Sequence, residues 1–182
     1  MGKERRALER TVAQTNKQLG ELGNKFGGFT EGMALPSMEK LLYEHFGMTR
    51  VQPRAKSRLT GRTLELDMLA YGGAEAYIVE VKSRLTREGV AEILQTIKEF
   101  PEFFAEHAHR TVYGILAAVE IDANARQEAL KNGLYLARLS DDSFKLQVPR
   151  GFKPKAFGPF AGGTRNGQHA NGKPQRKSKK EK

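Results

Sequence analysis

Two segments that favour β-structure flank a Gly-Gly pair, and this pattern constrains the fold more than any other feature. The runs Arg62–Tyr71 and Ala74–Lys82 are rich in aliphatic and aromatic residues, and Gly72-Gly73 separates them. A Gly-Gly pair between such runs is a good signal for a two-residue hairpin turn. The sequence therefore predicts an antiparallel hairpin in the middle of the chain.

The turn also predicts a register for the acidic residues of the hairpin. If the two glycines form the turn, Tyr71 pairs with Ala74, and Asp67 lies opposite Ile78. Opposed residues of an antiparallel pair point to the same face, so Asp67 and its diagonal neighbour Glu80 share one side of the hairpin. Two carboxylates are therefore expected close together on a largely apolar hairpin.

This acidic pair suggests a metal site. Asp67 and Glu80 provide the oxygen ligands that Mg²⁺ prefers, and Mn²⁺ accepts similar donors. Lys82 projects from the same face, where it could position or deprotonate a water molecule or stabilise charge on a phosphate. The same register puts Glu65 opposite Glu80 as a further acid without an assigned role. An ordinary ion pair between Glu80 and Lys82 at a sheet edge is the alternative interpretation.

A third acid is expected from a helix that precedes the hairpin. Glu31 is spaced with Leu35, Met38 and Leu42 along one apolar face, which would direct its carboxylate inward. Glu39 lies about 100° around the helix from Met38 and is the second candidate.

The remaining pattern predicts an α/β fold with a mixed sheet. A helix is expected after Thr86 through about Phe100, with Val90 and Ile97 on its buried side. The other expected elements are a basic strand before the hairpin, a central strand Thr111–Ile121, a short helix Asn124–Asn132 ending at Gly133, and strands Leu134–Leu139 and Phe144–Val148.

Other chemistries find little support in the sequence. The chain has no cysteine, which excludes disulfides and thiolate metal sites. His107 and His109 are expected to be solvated at a helix end, and His45 and His169 have no partner at metal-ligand spacing. No Gly-rich phosphate loop joins a strand to a helix in the required order.

The hairpin resembles the metal-binding core of the PD-(D/E)XK, or restriction-endonuclease-like, superfamily. The resemblance lies in Leu64-Glu65-Leu66-Asp67, the Gly-Gly turn, and Ala76 to Ser83 with its Glu80-Val81-Lys82 triplet. In that superfamily an acid ends one strand, an acid-x-Lys triplet ends the next, and a glutamate comes from the preceding helix. The resemblance implies an αβββαβ core and metal-dependent cleavage of nucleic acid, with Asp67, Glu80 and Glu31 as metal ligands.

The resemblance extends over about Leu22 to Phe157, with one departure. Leu66 stands where the superfamily's defining proline is expected, although many relatives also lack it. Gln95 resembles a helix glutamine of some branches, and a surface glutamine is the alternative. Gly27 to Glu31 and Phe152 to Lys155 resemble segments of an uncharacterised prokaryotic subgroup with a helical or coiled-coil N-terminus.

Residues near the N-terminus have the spacing of a coiled coil. This seam predicts a long helix, and either a homodimer or a single amphipathic helix lying on its own domain. The predicted domains are an N-terminal helix at 1–21, the nuclease-like domain at 22–157, and a disordered basic tail at 158–182. The seam residues are Leu8, Val12, Thr15, Leu19, Leu22, Phe26, Phe29 and Met33.

The positive charge is concentrated at the C-terminal end. The net charge is +10, and residues 150–182 hold ten of the 31 basic residues but only Glu181 among the 21 acids. Such a segment favours polyanions, so nucleic acid is the expected partner, with DNA ahead of RNA. No apolar run approaches the length of a bilayer span, and a cytoplasmic location is expected. The residues predicted to contact phosphates are Arg54, Lys56, Arg58, Arg84, Arg176 and Lys177.

The sequence leaves three functions open. The first is a nuclease-like phosphodiesterase, the second a non-catalytic nucleic-acid-binding or assembly module with the same fold, and the third a coiled-coil interaction protein with a basic tail. Convergence of Asp67, Glu80, Lys82 and a helix glutamate within metal-binding distance distinguishes the first function from the second.

Overall fold

A computed structural model describes residues 35–141 and 143–160 of the 182-residue chain. Within these ranges six strands form one sheet, in the same order as they occur along the chain. The strands are β1 (Arg50–Leu59), β2 (Arg62–Gly72), β3 (Glu75–Leu85), β4 (Thr111–Ile121), β5 (Tyr135–Ser140) and β6 (Ser143–Leu146). The helices are α1 (35–44), α2 (Arg87–Phe103), a 3₁₀ turn (Ala105–His107) and α3 (Ala123–Lys131).

The sheet is mixed, as the sequence predicts. Strands β1, β2 and β3 pair antiparallel, β3, β4 and β5 pair parallel, and β5 and β6 pair antiparallel. Parallel neighbours need a crossover, and α2 and α3 provide the two crossovers here. The predicted α/β class with a mixed sheet is confirmed, and the central strand Thr111–Ile121 has the predicted bounds.

Helices α2 and α3 cover one face of the sheet. Val90, Ile93 and Ile97 of α2 are almost fully buried and pack in one cluster with Leu66 and Ile78 of the hairpin. Gly114 of β4 permits this close packing: a Cβ there would lie 2.9 Å from Ile97 Cδ1 and 2.6 Å from Leu134 Cδ2.

The opposite face of the sheet packs against α1. Met38 and Leu42 have no exposed surface and belong to a second cluster with Met68, Val79 and Ile115. The α1 stripe predicted from their spacing is therefore confirmed for the described part of the helix. Glu31 lies outside the described residues, as do the predicted seam at 8–33 and the tail residues Arg176 and Lys177.

The hairpin register differs by two residues from the prediction. Tyr71 pairs with Ala76, and Gly72 pairs with Glu75, so the turn residues are Gly73 and Ala74. Gly72 continues the strand because the backbone at Met48 and Thr49 packs closely on it, with a Cβ position 3.1 Å from Thr49 N. Gly73 has a φ of +53°, which a tight hairpin turn favours.

A two-residue shift preserves the faces of the strands but changes the partners. The predicted pairing of Asp67 with Ile78 is wrong, because Leu69 is the partner of Ile78. Leu69 and Ile78 are partners that both pack in the α2 cluster, so Asp67 and Glu80, two residues further along each strand, still point to the same side. The pairing between β2 and β3 ends at Met68 and Val79, and its extension by one pair would put Asp67 directly opposite Glu80.

Strand β1 changes its buried face next to Asp67. Val51 packs with the α1 cluster, whereas Ala55, an even number of residues later, packs with the α2 cluster. Between them Arg54 has a φ of +50°, and the Arg54–Asp67 pair is missing from an otherwise continuous register. Pro53 precedes it, which an edge strand tolerates.

The chain continues to pack beyond the predicted domain boundary at Phe157. Phe157 N–H donates to Val112 O, and Phe160 N–H donates to Ala108 O, at 2.9 and 3.0 Å. Both rings pack against the α2 cluster. None of the described helices is long and apolar enough to span a membrane.

Candidate functional site

Asp67 lies where β2 and β3 separate. Its Oδ2 accepts a hydrogen bond from the backbone N–H of Val81 at 2.7 Å. The carboxylate thus takes the place of a β2 carbonyl as the acceptor for β3. This bond fixes the side chain beside the Glu80-Val81-Lys82 triplet, on which the sequence prediction depends.

Glu80 and Asp67 form a pair of carboxylates with unfavourable electrostatics. Burial raises the pKa of Glu80, and the neighbouring charge of Asp67 raises it further. Burial likewise raises the pKa of Asp67, although the Val81 N–H and the charge of Lys82 act in the opposite direction. The raised pKa values mean that the negative charge of these two partly buried carboxylates is unfavourable. A bound cation would neutralise that charge.

Lys82 bridges two acids from different elements. Its Nζ lies 2.9 Å from Glu80 Oε1 and 2.9 Å from Glu92 Oε2, and Glu92 is on α2. Burial opposes the charged form of Lys82, but its bonds to the two glutamates outweigh this effect and raise its pKa above the ordinary value. Lys82 is therefore an ammonium ion in this arrangement, which disfavours the predicted role as a base.

The donor set fits a divalent cation with an open coordination shell. Mg²⁺ commonly takes one or two carboxylates and completes its shell with water and phosphate oxygens. Asp67 and Glu80 could supply those carboxylates. Across the described ranges, no group of three or more His, Asp or Glu residues is placed to hold a metal.

Neither candidate for the third acid joins the pair among the described residues. Glu31 lies outside them. Glu39 is on α1, which packs against the sheet face opposite α2. Lys82 bonds to α2, so the acidic pair is on the α2 side and the structure does not bring Glu39 to it.

Glu65 lies close enough to Asp67 for its charge to raise the pKa of that carboxyl, but it has its own partner on β1. Its predicted position opposite Glu80 is wrong, because the β2–β3 register, extended by one pair, puts Asp67 opposite Glu80. On the other side of β2, Glu65 pairs with Lys56 of β1. Lys56 Nζ donates to Glu65 Oε2 at 2.8 Å, and this bond lowers the pKa of Glu65. Glu65 is thus an exposed acid with its own cationic partner.

The basic residues predicted to contact phosphates are distributed over several surfaces. Arg54 is close enough to Asp67 for its charge to lower the pKa of that carboxyl. Lys56 and Arg58 alternate with Ala55 and Ser57, which face α2, so they project from the other side of β1. The positive φ at Arg54 interrupts the alternation of β1, so the face of Lys56 and Arg58 cannot be extended to Arg54 by counting residues.

Arg84 follows the triplet on β3 and is already paired. Its Nε and Nη2 both lie 2.9 Å from Asp122 Oδ1, and its side chain remains 60% exposed. The guanidinium therefore has donors available for a phosphate, at the end of the strand that carries Glu80.

Gln95 and the histidines differ in how well they match the sequence prediction. Gln95 is exposed and donates to Glu99 Oε1 at 2.8 Å, which agrees with the surface alternative. The predicted solvation of His107 is wrong: its ring packs between Tyr71 and Phe100, and Nδ1 accepts from Arg110 Nε at 3.3 Å. His109 is exposed, as predicted.

Glu92 is the residue that sequence reasoning missed. It is a polar residue between the buried positions Val90 and Ile93, as expected for an exposed helix side. Its distance from Lys82 depends on how α2 crosses the sheet, and the sequence pattern does not specify that crossing.

Comparisons with known proteins give no family assignment. No protein-family model and no curated protein matches the chain. Among solved structures, EndoMS in complex with double-stranded DNA is similar, at 19% identity over 59% of this chain and 45% of that chain, with a TM-score of 0.39. A repair endonuclease from Pyrococcus abyssi matches at 19% identity over 59% and 47% of the two chains, with a TM-score of 0.40.

A third similar structure is a protein of unknown function, at 17% identity over 55% of this chain and 54% of that chain, with a TM-score of 0.40. The chain spans about half the length of these proteins. One of these structural neighbours is a repair endonuclease, but similarity at this level does not identify the function of this chain. Membership of the restriction-endonuclease-like superfamily stays a prediction.

Proposed function

We propose that this protein is a metal-dependent phosphodiesterase that cleaves nucleic acid, with DNA as the expected substrate. The observation that carries the proposal is the meeting of Asp67, Glu80 and Lys82 at one point of the sheet. Val81 N–H holds Asp67 at 2.7 Å, and Lys82 Nζ lies 2.9 Å from Glu80. An acidic pair beside an ammonium group is suited to a phosphate and its counter-ion.

The roles follow from the charges of the three groups. Asp67 and Glu80 would hold Mg²⁺ or Mn²⁺, and Glu31 is proposed as the third ligand. A bound cation would polarise a phosphoryl oxygen and lower the pKa of a bound water. Lys82, as an ammonium ion, would donate hydrogen bonds to the phosphate and stabilise negative charge that develops during cleavage.

Substrate binding is proposed to depend on cationic side chains around this pair. Arg54 lies beside Asp67, and Arg84 lies further along β3 with its side chain largely exposed. Lys56 and Arg58 lie on the other face of β1, where they could contact a more distant part of a long nucleic acid. Arg176 and Lys177 would add attraction that does not depend on base sequence.

Cleavage of end-labelled single- and double-stranded DNA and RNA, with Mg²⁺, with Mn²⁺ and with chelator, tests the proposal. The wild type should cleave at least one substrate only when metal is present. Glu80→Gln and Lys82→Met should each lose about 100-fold or more in kcat/KM, because they remove a ligand charge and a phosphate donor.

Glu65→Gln is the matched control for this assay. It makes the same chemical change two residues from Asp67, at a carboxylate paired with Lys56. Its activity should remain close to that of the wild type. Equal activity of the wild type and Glu80→Gln, or cleavage that persists in chelator, would overturn the proposal.

A non-catalytic nucleic-acid-binding module is the second candidate. It is favoured by the finding that the described residues bring only two carboxylates to the site, whereas the resembled superfamily uses three acids. Nucleic-acid binding without metal-dependent cleavage would support this candidate over the first.

A further inference from the structure

Lys82 lies against the first turns of α2 over its whole length. A Cβ at Gly89 would be 3.8 Å from Lys82 Cε and 4.0 Å from its Cγ. Gly89 is buried inside the helix, where glycine costs about 1 kcal/mol relative to alanine. The tight contact at this position is Leu85 Cδ1, 3.2 Å from the same Cβ position, and the Lys82 stem packs beside it at ordinary van der Waals distance.

Glu92 is three residues further along α2 and receives the head of the same side chain. Residues three apart lie on one face of a helix, so Gly89 and Glu92 are neighbours on the face of α2 along which the Lys82 side chain extends. The Lys82 Nζ is 2.9 Å from both Glu80 Oε1 and Glu92 Oε2. An ammonium group has three donors and can serve both acids at once.

This arrangement has a consequence for cation binding. A divalent cation held by Asp67 and Glu80 competes with Lys82 for Glu80, and the two positive charges repel each other. Without a second acceptor, Lys82 would either stay on Glu80 or lose its partner. Glu92 is 59% exposed and belongs to a different element, so it can retain Lys82 while Glu80 binds the cation.

We infer that Glu92 is a positioning residue: it holds Lys82 beside the site when Glu80 binds a divalent cation. The inference rests on the proposed function, since it assumes that Asp67 and Glu80 bind metal. It goes further in assigning a role to an α2 acid that lies outside the hairpin motif. An ordinary surface ion pair would contribute little and would not affect metal binding.

Calorimetric titration of the full chain with Mn²⁺ tests the inference in a double-mutant cycle. Glu92→Gln should weaken Mn²⁺ binding about five- to tenfold, the range expected for groups in direct contact. In a Lys82→Met background, the same Glu92→Gln change should alter the affinity less than about twofold, because no ammonium group remains to be held.

Glu88→Gln is the control for loss of distant charge. Glu88 is exposed and lies one turn earlier on α2. Its removal should change Mn²⁺ affinity less than about twofold. Equal weakening by Glu92→Gln in both backgrounds would show that Glu92 acts only as a distant charge, and would overturn the inference.

The outcomes also separate this inference from the proposed function. If the wild type binds no Mn²⁺, both fail. If the wild type binds Mn²⁺ and Glu92→Gln binds it equally well, only the role of Glu92 is overturned.

Discussion

The Asp67 carboxylate accepts a hydrogen bond from the backbone N–H of Val81, at a distance of 2.7 Å, just beyond the last paired residues of β2 and β3. An acid that replaces a strand carbonyl is held by the sheet itself rather than by other side chains. This contact holds the carboxylate beside the Glu80-Val81-Lys82 triplet. Burial raises the pKa of both Asp67 and Glu80, and the charge of Asp67 raises the pKa of Glu80 further.

Asp67→Asn should abolish metal binding without unfolding the protein. The substitution removes a ligand charge but hardly changes the volume, and an amide oxygen can still accept from Val81 N–H. The metal-free variant should melt at the same or a higher temperature, because it removes repulsion with Glu80. Titration with Mn²⁺ and thermal unfolding in chelator check both parts. Wild-type affinity for Mn²⁺ in the variant would contradict the assignment.

As the pH is lowered, metal affinity should begin to fall at a higher pH than it would for carboxylates with ordinary pKa values. The pKa values of Asp67 and Glu80 are raised above the ordinary values of 3.8 and 4.5, so both groups take up protons earlier as the pH falls. Protonation removes ligand charge, and it also relieves repulsion in the metal-free fold. Metal affinity and the stability of the metal-free protein should therefore respond to acid in opposite directions. As the pH falls from neutral, Mn²⁺ affinity should decrease, whereas the contribution of these two groups to the free energy of unfolding should increase.

Titrations with Mn²⁺ between about pH 4.5 and 8 check this dependence. Thermal unfolding in chelator over the same range checks the opposite trend in stability, with Glu80→Gln as the variant that removes part of it. An affinity that stays constant down to pH 4.5, the ordinary pKa of a glutamate, would contradict the prediction.

The backbone at Arg54 should favour glycine. At φ +50° a residue with a Cβ is strained by about 1 kcal/mol, and glycine is not. Arg54→Gly should therefore be more stable than Arg54→Ala by about 1 kcal/mol in denaturant unfolding, and this comparison cancels the loss of the guanidinium. Arg58 in the same strand has no positive φ, so the order should reverse between Arg58→Gly and Arg58→Ala. Equal stability of the two Arg54 variants would argue against strain there.

Much of the fold can be predicted from local sequence patterns. In the hairpin, these patterns predict which side chains share a face but not the register of the two strands. Alternation alone places Asp67 and Glu80 on one face, and it does so even though the predicted register is two residues off. The register itself depends on Thr49, which packs on Gly72 and keeps that residue in the strand. A contact between residues more than 20 positions apart leaves no local signal.

The site divides in the same way. Asp67, Glu80 and Lys82 belong to one hairpin, so their proximity could be predicted from spacing. Glu92 contacts Lys82 because α2 packs on the sheet, and Glu65 contacts Lys56 because β1 pairs with β2. Neither contact can be predicted from the spacing of residues within one hairpin. The contribution of Glu31 and the homodimer through the N-terminal seam stay predictions.

Gly114→Ala should destabilise the protein by about 1–3 kcal/mol, the usual cost of overpacking. The new Cβ would be 2.6 Å from Leu134 Cδ2 and 2.9 Å from Ile97 Cδ1, so α2 or these side chains must move. Ile97→Val removes one of the two obstructing atoms, and the double variant should lose less stability than the sum of the single changes. Denaturant unfolding measures the coupling, and strict additivity would contradict this packing.

The basic segment after Phe160 should contribute electrostatic binding that does not depend on base sequence. Residues 161–182 contain seven cationic side chains: Arg165, Lys173, Arg176, Lys177, Lys179, Lys180 and Lys182. Each phosphate neutralised on duplex DNA adds about 0.9 to the slope of log affinity against log salt. If half of the seven contact phosphates, a chain ending at Phe160 should show a slope flatter by about 3.

Truncation after Phe160 retains the packing of that ring on the core and leaves the proposed catalytic residues in place. Cleavage at low salt should therefore survive, since Asp67, Glu80 and Lys82 are unchanged. Replacing the seven cationic residues by glutamine in the full-length chain is the matched control, and it should flatten the slope equally. An unchanged slope in both variants would assign phosphate binding to Arg54, Arg84 and their neighbours on the sheet, because the concentrated positive charge of the C-terminal segment would then contribute nothing.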